Sequence, residues 1–115
     1  MAAWFRIHSD KDVNYLFISD DHDEAEWLPW LLERKPTIGH WGSEWIGSYP
    51  QEIKLFDQLA GCATAQSYHC VETLLETNHL HPNYIIVAMS NKIDIPLPQK
   101  PVFQNGSYSV WKVEG

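Results

Sequence analysis

Carboxylates that could carry out chemistry are concentrated between Asp20 and Gly47, which hold seven of the 15 acidic residues of the chain. The densest part is the run Asp20, Asp21, His22 and Asp23. Clustered carboxylates can act as general acids and bases or bind a hard cation. The same pattern is typical of a solvated helix start, where exposed N–H groups favour negative charge. No phosphate-binding glycine loop or nucleophile elbow accompanies this run, so it does not indicate a particular reaction.

Four of the six tryptophans lie in the same stretch. A tryptophan buries a large apolar area while its indole N–H still requires a partner, so such a cluster can form either a folding core or a contact surface. In the first case the loop over residues 37–49 is held down by its own rings. In the second, an exposed ring beside the carboxylates would anchor a partner.

A second group with possible chemistry consists of His69, Cys70, His79 and His81. Imidazole and thiolate groups bind zinc, but this spacing does not match that of a known zinc site. Histidines near a helix end also satisfy terminal carbonyl groups. We therefore predict a helix-capping and surface role for these residues, with no metal and no cofactor.

The composition favours a basic protein as the partner. A chain of 115 residues with 44% hydrophobic content fits a single compact domain over residues 1–115. The formal charge of −7 disfavours direct binding to nucleic acid or to an anionic membrane. Moderate negative charge also keeps a protein soluble, and this is the simpler explanation of the net charge.

The sequence predicts a cytoplasmic protein. Its N-terminus lacks the pattern of a secretory signal, and no apolar segment is long enough to span a membrane. If the residues between Cys62 and Cys70 are helical, the two thiols stand roughly 12 Å apart along the helix, too far for a disulfide. Free thiols are typical of a reducing compartment.

The first part of the chain must position the acidic run. Apolar and aromatic residues at Trp4–His8 and Tyr15–Ser19, separated by a polar stretch, predict a β-hairpin with Phe5 and Ile7 facing the core. The acidic residues then favour a helical turn at 23–27. Pro29 interrupts a continuous helix, so a second short helix is expected from Pro29 to about Arg34, where Lys35 and Pro36 end it.

The rest of the chain changes from helices to strands. A capping pattern at Ser48 starts a helix at 50–60 that Gly61 ends, and apolar periodicity predicts another helix over 64–78. The apolar run at 84–89 is typical of a central strand, and Ile93, Ile95 and Leu97 alternate as in a further strand. Asn105–Gly106 between two short strands predicts a hairpin.

These elements predict an α+β fold, in which a mainly antiparallel sheet, built from the N-terminal hairpin and the C-terminal strands, packs against two or three helices. The expected core is a set of apolar residues from every element: Phe5, Ile7, Leu16, Ile18, Phe56, Leu59, Val71, Leu75, Ile85, Val87 and Val110.

The expected function is that of a small acidic inhibitor that binds a basic protein, either a toxin or a nucleic-acid enzyme. The favoured interpretation is a bacterial immunity protein that neutralises a toxin, such as a nuclease, by blocking its basic active-site cleft. The alternatives are a phage inhibitor of a host defence complex and a small metal-dependent enzyme that uses the Asp and His residues. The expected contact residues are acids and tryptophans of the central stretch: Asp20, Asp21, Asp23, Glu24, Glu26, Trp27, Trp30, Trp41, Glu44 and Trp45.

Overall fold

The protein contains a mixed β-sheet with helices on both faces. The computed structural model describes residues 1–19, 28–37, 49–88 and 100–113. The helices and strands in chain order are α1 (Ala2–His8), β1 (Asn14–Ile18), α2 (28–32), β2 (Lys35–Pro36), α3 (Tyr49–Thr64), α4 (Tyr68–Thr77), β3 (Tyr84–Ala88), β4 (Phe103–Gln104) and β5 (Tyr108–Lys112).

The strand order is β2-β1-β3-β5-β4. β1 runs parallel to both β2 and β3, whereas β5 is antiparallel to β3 and β4. The predicted α+β class is confirmed. The prediction of a mainly antiparallel sheet is wrong. α2 lies between β1 and β2 in the chain, α3 and α4 lie between β2 and β3, and helical crossovers join parallel strands.

Alternate residues of the two central strands pack in different clusters. Leu16 and Ile18 of β1 pack with Leu59 of α3 and Val71 of α4. The intervening residues Tyr15 and Phe17 pack with Phe5 of α1 and with Leu28 and Leu32 of α2. Since successive side chains of a strand point to opposite faces, α4 and most of α3 cover one face of the sheet, and α1 and α2 cover the other. Phe56 of α3 packs in the second cluster. This double covering explains why β1 and β3 are apolar at nearly every position.

The N-terminal segment is a helix, so the first strand of the predicted hairpin is wrong. The amide of Phe5 donates to the carbonyl of Met1, and that of Ser9 to the carbonyl of Phe5, each at 3.0 Å. Phe5 is fully buried, whereas Ile7 is 77% exposed. Strand alternation would place both on one face, but two residues are about 200° apart around a helix. Placing Ile7 in the core was therefore wrong as well.

The two predicted helices over 50–60 and 64–78 exist as α3 and α4, but Gly61 does not end the first. α3 continues to Thr64 and closes at Gln66, whose φ is 57°. The amides of Gln66 and Ser67 donate to the carbonyls of Ala63 and Cys62, each at 3.0 Å. This is the pattern of a Schellman motif. Ser67 then caps α4, because its hydroxyl accepts from the amide of Cys70 at 3.1 Å.

Cys62 and Cys70 form a disulfide, with their Cα atoms 5.5 Å apart. The prediction of two free thiols is wrong because it assumed one continuous helix between them. The connection over 65–67 instead turns the chain, and the last turn of α3 comes to lie beside the first turn of α4. The argument from free thiols to a reducing compartment therefore loses its premise.

The C-terminal strands confirm two predictions. β3 lies between β1 and β5 in the interior of the sheet, as expected of a continuous apolar run. β4 and β5 pair as a hairpin, in which the amide of Asn105 donates to the carbonyl of Tyr108 at 2.9 Å. The side chain of Asn105 accepts from the amides of Ser107 and Tyr108, at 2.8 and 2.7 Å. The turn is thus centred on Gly106 and Ser107, one residue later than predicted.

The predicted helical turn at 23–27, most of the loop at 37–49 and the alternating strand at 93–97 lie outside the described residues. None of the helices in the described ranges has the length and apolar character needed to cross a lipid bilayer.

Candidate functional site

Of the ten predicted contact residues, the structure describes Trp30. It is 66% exposed. The others lie outside the described residues: Asp20, Asp21, Asp23, Glu24, Glu26, Trp27, Trp41, Glu44 and Trp45. At this one position, the tryptophan lies on the surface and not in the core.

The exposure of Trp30 follows from the helical period of α2. Leu28 and Leu32 are one turn apart and are 1% and 0% exposed, so that side of the helix packs on the sheet. At 100° per residue, Trp30 lies opposite this side and Leu31 at its edge, in agreement with their exposed fractions of 66% and 41%. Pro29 is compatible with the start of this short helix because it lacks only an N–H that has no partner in a first turn.

A buried arginine ties the end of α2 to the end of α1. Arg34 is 9% exposed. Its guanidinium donates to the carbonyls of Arg6 and Ser9 at 3.0 and 2.9 Å, to the hydroxyl of Ser9 at 3.0 Å, and to the carbonyl of Glu33 at 3.0 Å. It therefore satisfies carbonyl groups at the C-terminal ends of both helices, where the helix dipoles favour a cation.

A second contact joins the two helices, since the guanidinium of Arg6 donates to the carbonyl of Leu31. Three exposed apolar residues belong to this contact or lie next to it in sequence: Ile7 is 77% exposed, Trp30 66% and Leu31 41%. We call these three residues the α1–α2 apolar surface. Single exposed apolar side chains are ordinary, but several on adjoining helices are typical of a contact site.

The other sides of α1 are occupied. Trp4 stacks on His8, with ring centroids 4.8 Å apart, and its ring centroid lies 5.2 Å from that of Phe103 in β4. Phe5 points into the core, and Arg6 reaches α2. These contacts set the rotation of α1 about its axis and leave Ile7 facing outward.

Sequence reasoning missed Ile7 and Leu31 because it assigned Ile7 to a strand and looked for anchors only among tryptophans. The pair Ala2 and Ala3 was the available indication of a helix, since alanine has the highest helix propensity.

All four residues of the histidine and cysteine group lie in the described ranges. Cys70 is in the disulfide, and no group of three or more potential ligands comes together within the described ranges. His79 has a φ of 56°, and its amide donates to the carbonyl of Glu76 at 3.2 Å, which is a helix-closing position. The acid–base interpretation of Asp20–Asp23 lies outside the described residues.

No protein-family model, curated protein or solved structure matches this chain. The function must therefore be argued from its own residues.

Proposed function

We propose that this chain is a small acidic protein that inhibits a basic protein partner, as an immunity protein does when it covers the active-site cleft of a toxin such as a nuclease. The α1–α2 apolar surface is the observation that carries the proposal. Trp30 on this surface follows, four residues later in the chain, an acidic run that ends at Glu26. An exposed aromatic ring close in sequence to a block of charge is the composition expected of an interface hot spot with electrostatic guidance.

The acidic run and the α1–α2 apolar surface have different roles in this proposal. The five carboxylates between Asp20 and Glu26, in a chain of net charge −7, attract a basic cleft and stand in for the phosphates of its substrate. Trp30, with Leu31 on the same helix and Ile7 on the adjoining one, supplies the apolar contact that slows dissociation. Charge thus controls the association rate, and the ring controls the dissociation rate.

The test is affinity capture from the native host with quantitative mass spectrometry, using matched variants as bait. The wild type is compared with Trp30→Ala, with Asp21→Lys/Asp23→Lys, and with Val102→Ser as a control. Val102 is also an exposed apolar residue, at 45%, but it precedes β4 and lies outside the α1–α2 apolar surface.

The proposal expects a basic protein that is retained by the wild type and by Val102→Ser and is lost with the other two baits. With the purified partner, Trp30→Ala should weaken binding by about 2 kcal/mol, roughly thirtyfold in Kd. The acid reversals should slow association and flatten its salt dependence. Identical sets of captured proteins for all four baits would reject the proposal.

A phage inhibitor of a host defence complex would bind in the same way, and the identity of the captured partner distinguishes it from an immunity protein. The cytoplasmic location predicted for either kind of protein has lost its support from free thiols, because Cys62 and Cys70 are bonded. Alkylation of thiols in intact host cells tests it directly: a protein kept in a reducing cytoplasm should be labelled at both cysteines.

A further inference from the structure

A pocket of about 350 Å³ lies beside α4, away from the α1–α2 apolar surface. Its lining comes from α4, from the loop that leads into β3, and from Val113 after β5. It is therefore at the end of the sheet where β3 begins. β1 runs parallel to β3, so the carboxyl end of β1 is at the opposite end of the sheet from this pocket.

The backbone around this pocket is anchored by hydrogen bonds. The amide of Leu80 donates to the carbonyl of Leu75 at 2.9 Å, which closes α4. Asn83 and Asn14 exchange side-chain to backbone bonds at 2.9 and 3.0 Å, and the amide of Val113 donates to the carbonyl of Asn83 at 2.9 Å. The walls are thus formed before any ligand arrives, which lowers the entropic cost of binding.

The lining combines an apolar part with negative charge. Leu75, Leu80 and Val113 supply the apolar part, and Glu72 and Glu76 stand one helical turn apart at the rim. His81 is the one basic side chain of the lining. No lysine or arginine lines the pocket, and neither glutamate pairs with one among the described residues. Two like charges at this spacing repel each other by a few tenths of a kcal/mol, and a cation placed between them removes that cost.

Tyr68 adds an aromatic ring and a hydroxyl group to the same pocket. Burial, and next the charge of Glu72, raise the pKa of this hydroxyl. The hydroxyl is therefore neutral at physiological pH, and the negative charge of the pocket belongs to the two glutamates. The ring face can attract a cation that sits beside it.

We propose that this pocket binds an alkylammonium or guanidinium group on an apolar stem, as found in a lysine or arginine side chain or in a free aliphatic diamine. The stem lies on Leu75, Leu80 and Val113, and the cation lies between Glu72 and Glu76. This site is independent of the proposed inhibitory function, because it uses none of the residues of the α1–α2 apolar surface.

The test is a titration of the ¹⁵N-labelled protein followed by backbone amide shifts. Three probes are added up to about 10 mM, a range that covers the weak affinity of a single side chain: Nα-acetyl-arginine methylamide, Nα-acetyl-norleucine methylamide and 1,4-diaminobutane. The second probe has an apolar stem but no charge. The variants are Glu72→Gln/Glu76→Gln and, as a control with the same change of net charge, Asp12→Asn/Glu33→Gln, whose residues do not line the pocket.

We expect saturable shifts at Glu72, Glu76, Leu80 and Asn83 with a cationic probe, and at least about tenfold weaker binding in the glutamate variant but not in the control. Preference for the arginine probe identifies a protein side chain as the ligand, and preference for the diamine identifies a free amine. The proposal is overturned if norleucine binds equally well, if no cationic probe binds, or if the glutamate variant binds unchanged. The shifts do not depend on any inhibitory activity, so the two proposals can fail separately.

Discussion

At position 15, a tyrosine hydroxyl is buried with no hydrogen-bond partner among the described residues. Tyr15 is 1% exposed and lies edge-on to Phe5, with ring centroids 6.1 Å apart. A buried, unpaired hydroxyl costs about 1–3 kcal/mol of desolvation. Tyr15→Phe should therefore raise the free energy of unfolding, by about 1 kcal/mol, in urea denaturation. Tyr84→Phe, at the paired position on β3, is the control and should have little effect, since the hydroxyl of Tyr84 is not among the buried unpaired groups.

The same residue predicts a dependence on alkaline pH. Burial raises the pKa of Tyr15 above its ordinary value of 10.0. Above that pH the unfolded chain loses this proton while the folded protein keeps it. Ionisation of this group therefore leaves stability unchanged below pH 10 and lowers the free energy of unfolding by up to about 1.4 kcal/mol per pH unit above it. Between about pH 10 and 11, the free energy of unfolding should fall less steeply with pH for Tyr15→Phe than for the wild type. Equal slopes for the two proteins would contradict the prediction.

Tryptophans of the surface and of the core should respond differently to the same substitution. Trp30 is 66% exposed, whereas Trp111 of β5 is 8% exposed and packs in the core cluster with Leu16 and Ile85. Trp111→Ala should lower the free energy of unfolding by about 3–5 kcal/mol, and Trp30→Ala by much less. Thermal melts of the free protein measure both. A large loss with Trp30→Ala would assign that ring to folding rather than to binding.

Among the elements, the end of α3 is the clearest place to test a local conformation. Gln66 closes this helix with a φ of 57°, a region that costs a residue with a Cβ about 1 kcal/mol relative to glycine. Gln66→Gly should therefore stabilise the protein by up to about 1 kcal/mol. Gln58→Gly, at an exposed position inside the same helix, should destabilise it by a similar amount. Equal effects of the two changes would show that Gln66 is not in a left-handed conformation.

Gly61 offers the reverse substitution on the same helix. It lies inside α3, and a Cβ added there would meet nothing within 4 Å. Gly61→Ala should raise the free energy of unfolding by about 0.5–1 kcal/mol, because glycine loses more backbone freedom on folding. If the helix instead ended at this glycine, the alanine variant would be destabilised, and urea denaturation distinguishes the two outcomes.

For the molecule as a whole, the disulfide is the one covalent cross-link and joins α3 to α4. A loop this short is expected to contribute about 2–3 kcal/mol through the unfolded state. The variant Cys62→Ala/Cys70→Ala should be less stable by this amount. A reductant should lower the stability of the wild type toward that of the variant and leave the variant unchanged. A wild type insensitive to reductant under unfolding conditions would contradict the cross-link.

Features that depend on neighbours in sequence were predictable. The apolar run that becomes β3, the Asn105–Gly106 hairpin and the two long helices all have periods or turn residues that act over a few positions. Apart from Ile7 and the half-buried Leu75, every predicted core residue is buried. Except for Phe5, which was predicted in a strand and lies in a helix, these residues are buried because burial follows from the period once the element type is right.

Features that depend on residues distant in the chain required the tertiary structure. Seven residues at 2–8 are too few for a period to separate helix from strand, and the choice is made by contacts with Phe103 and Arg34, far along the chain. The direction of β1 relative to β3 depends on how the intervening helices cross the sheet. Cys62 and Cys70 can bond only because the chain turns at 65–67. The exposure of Trp30 depends in the same way on which side of α2 packs against the sheet, since tryptophan is compatible with a core or a surface and its neighbours in space decide between them.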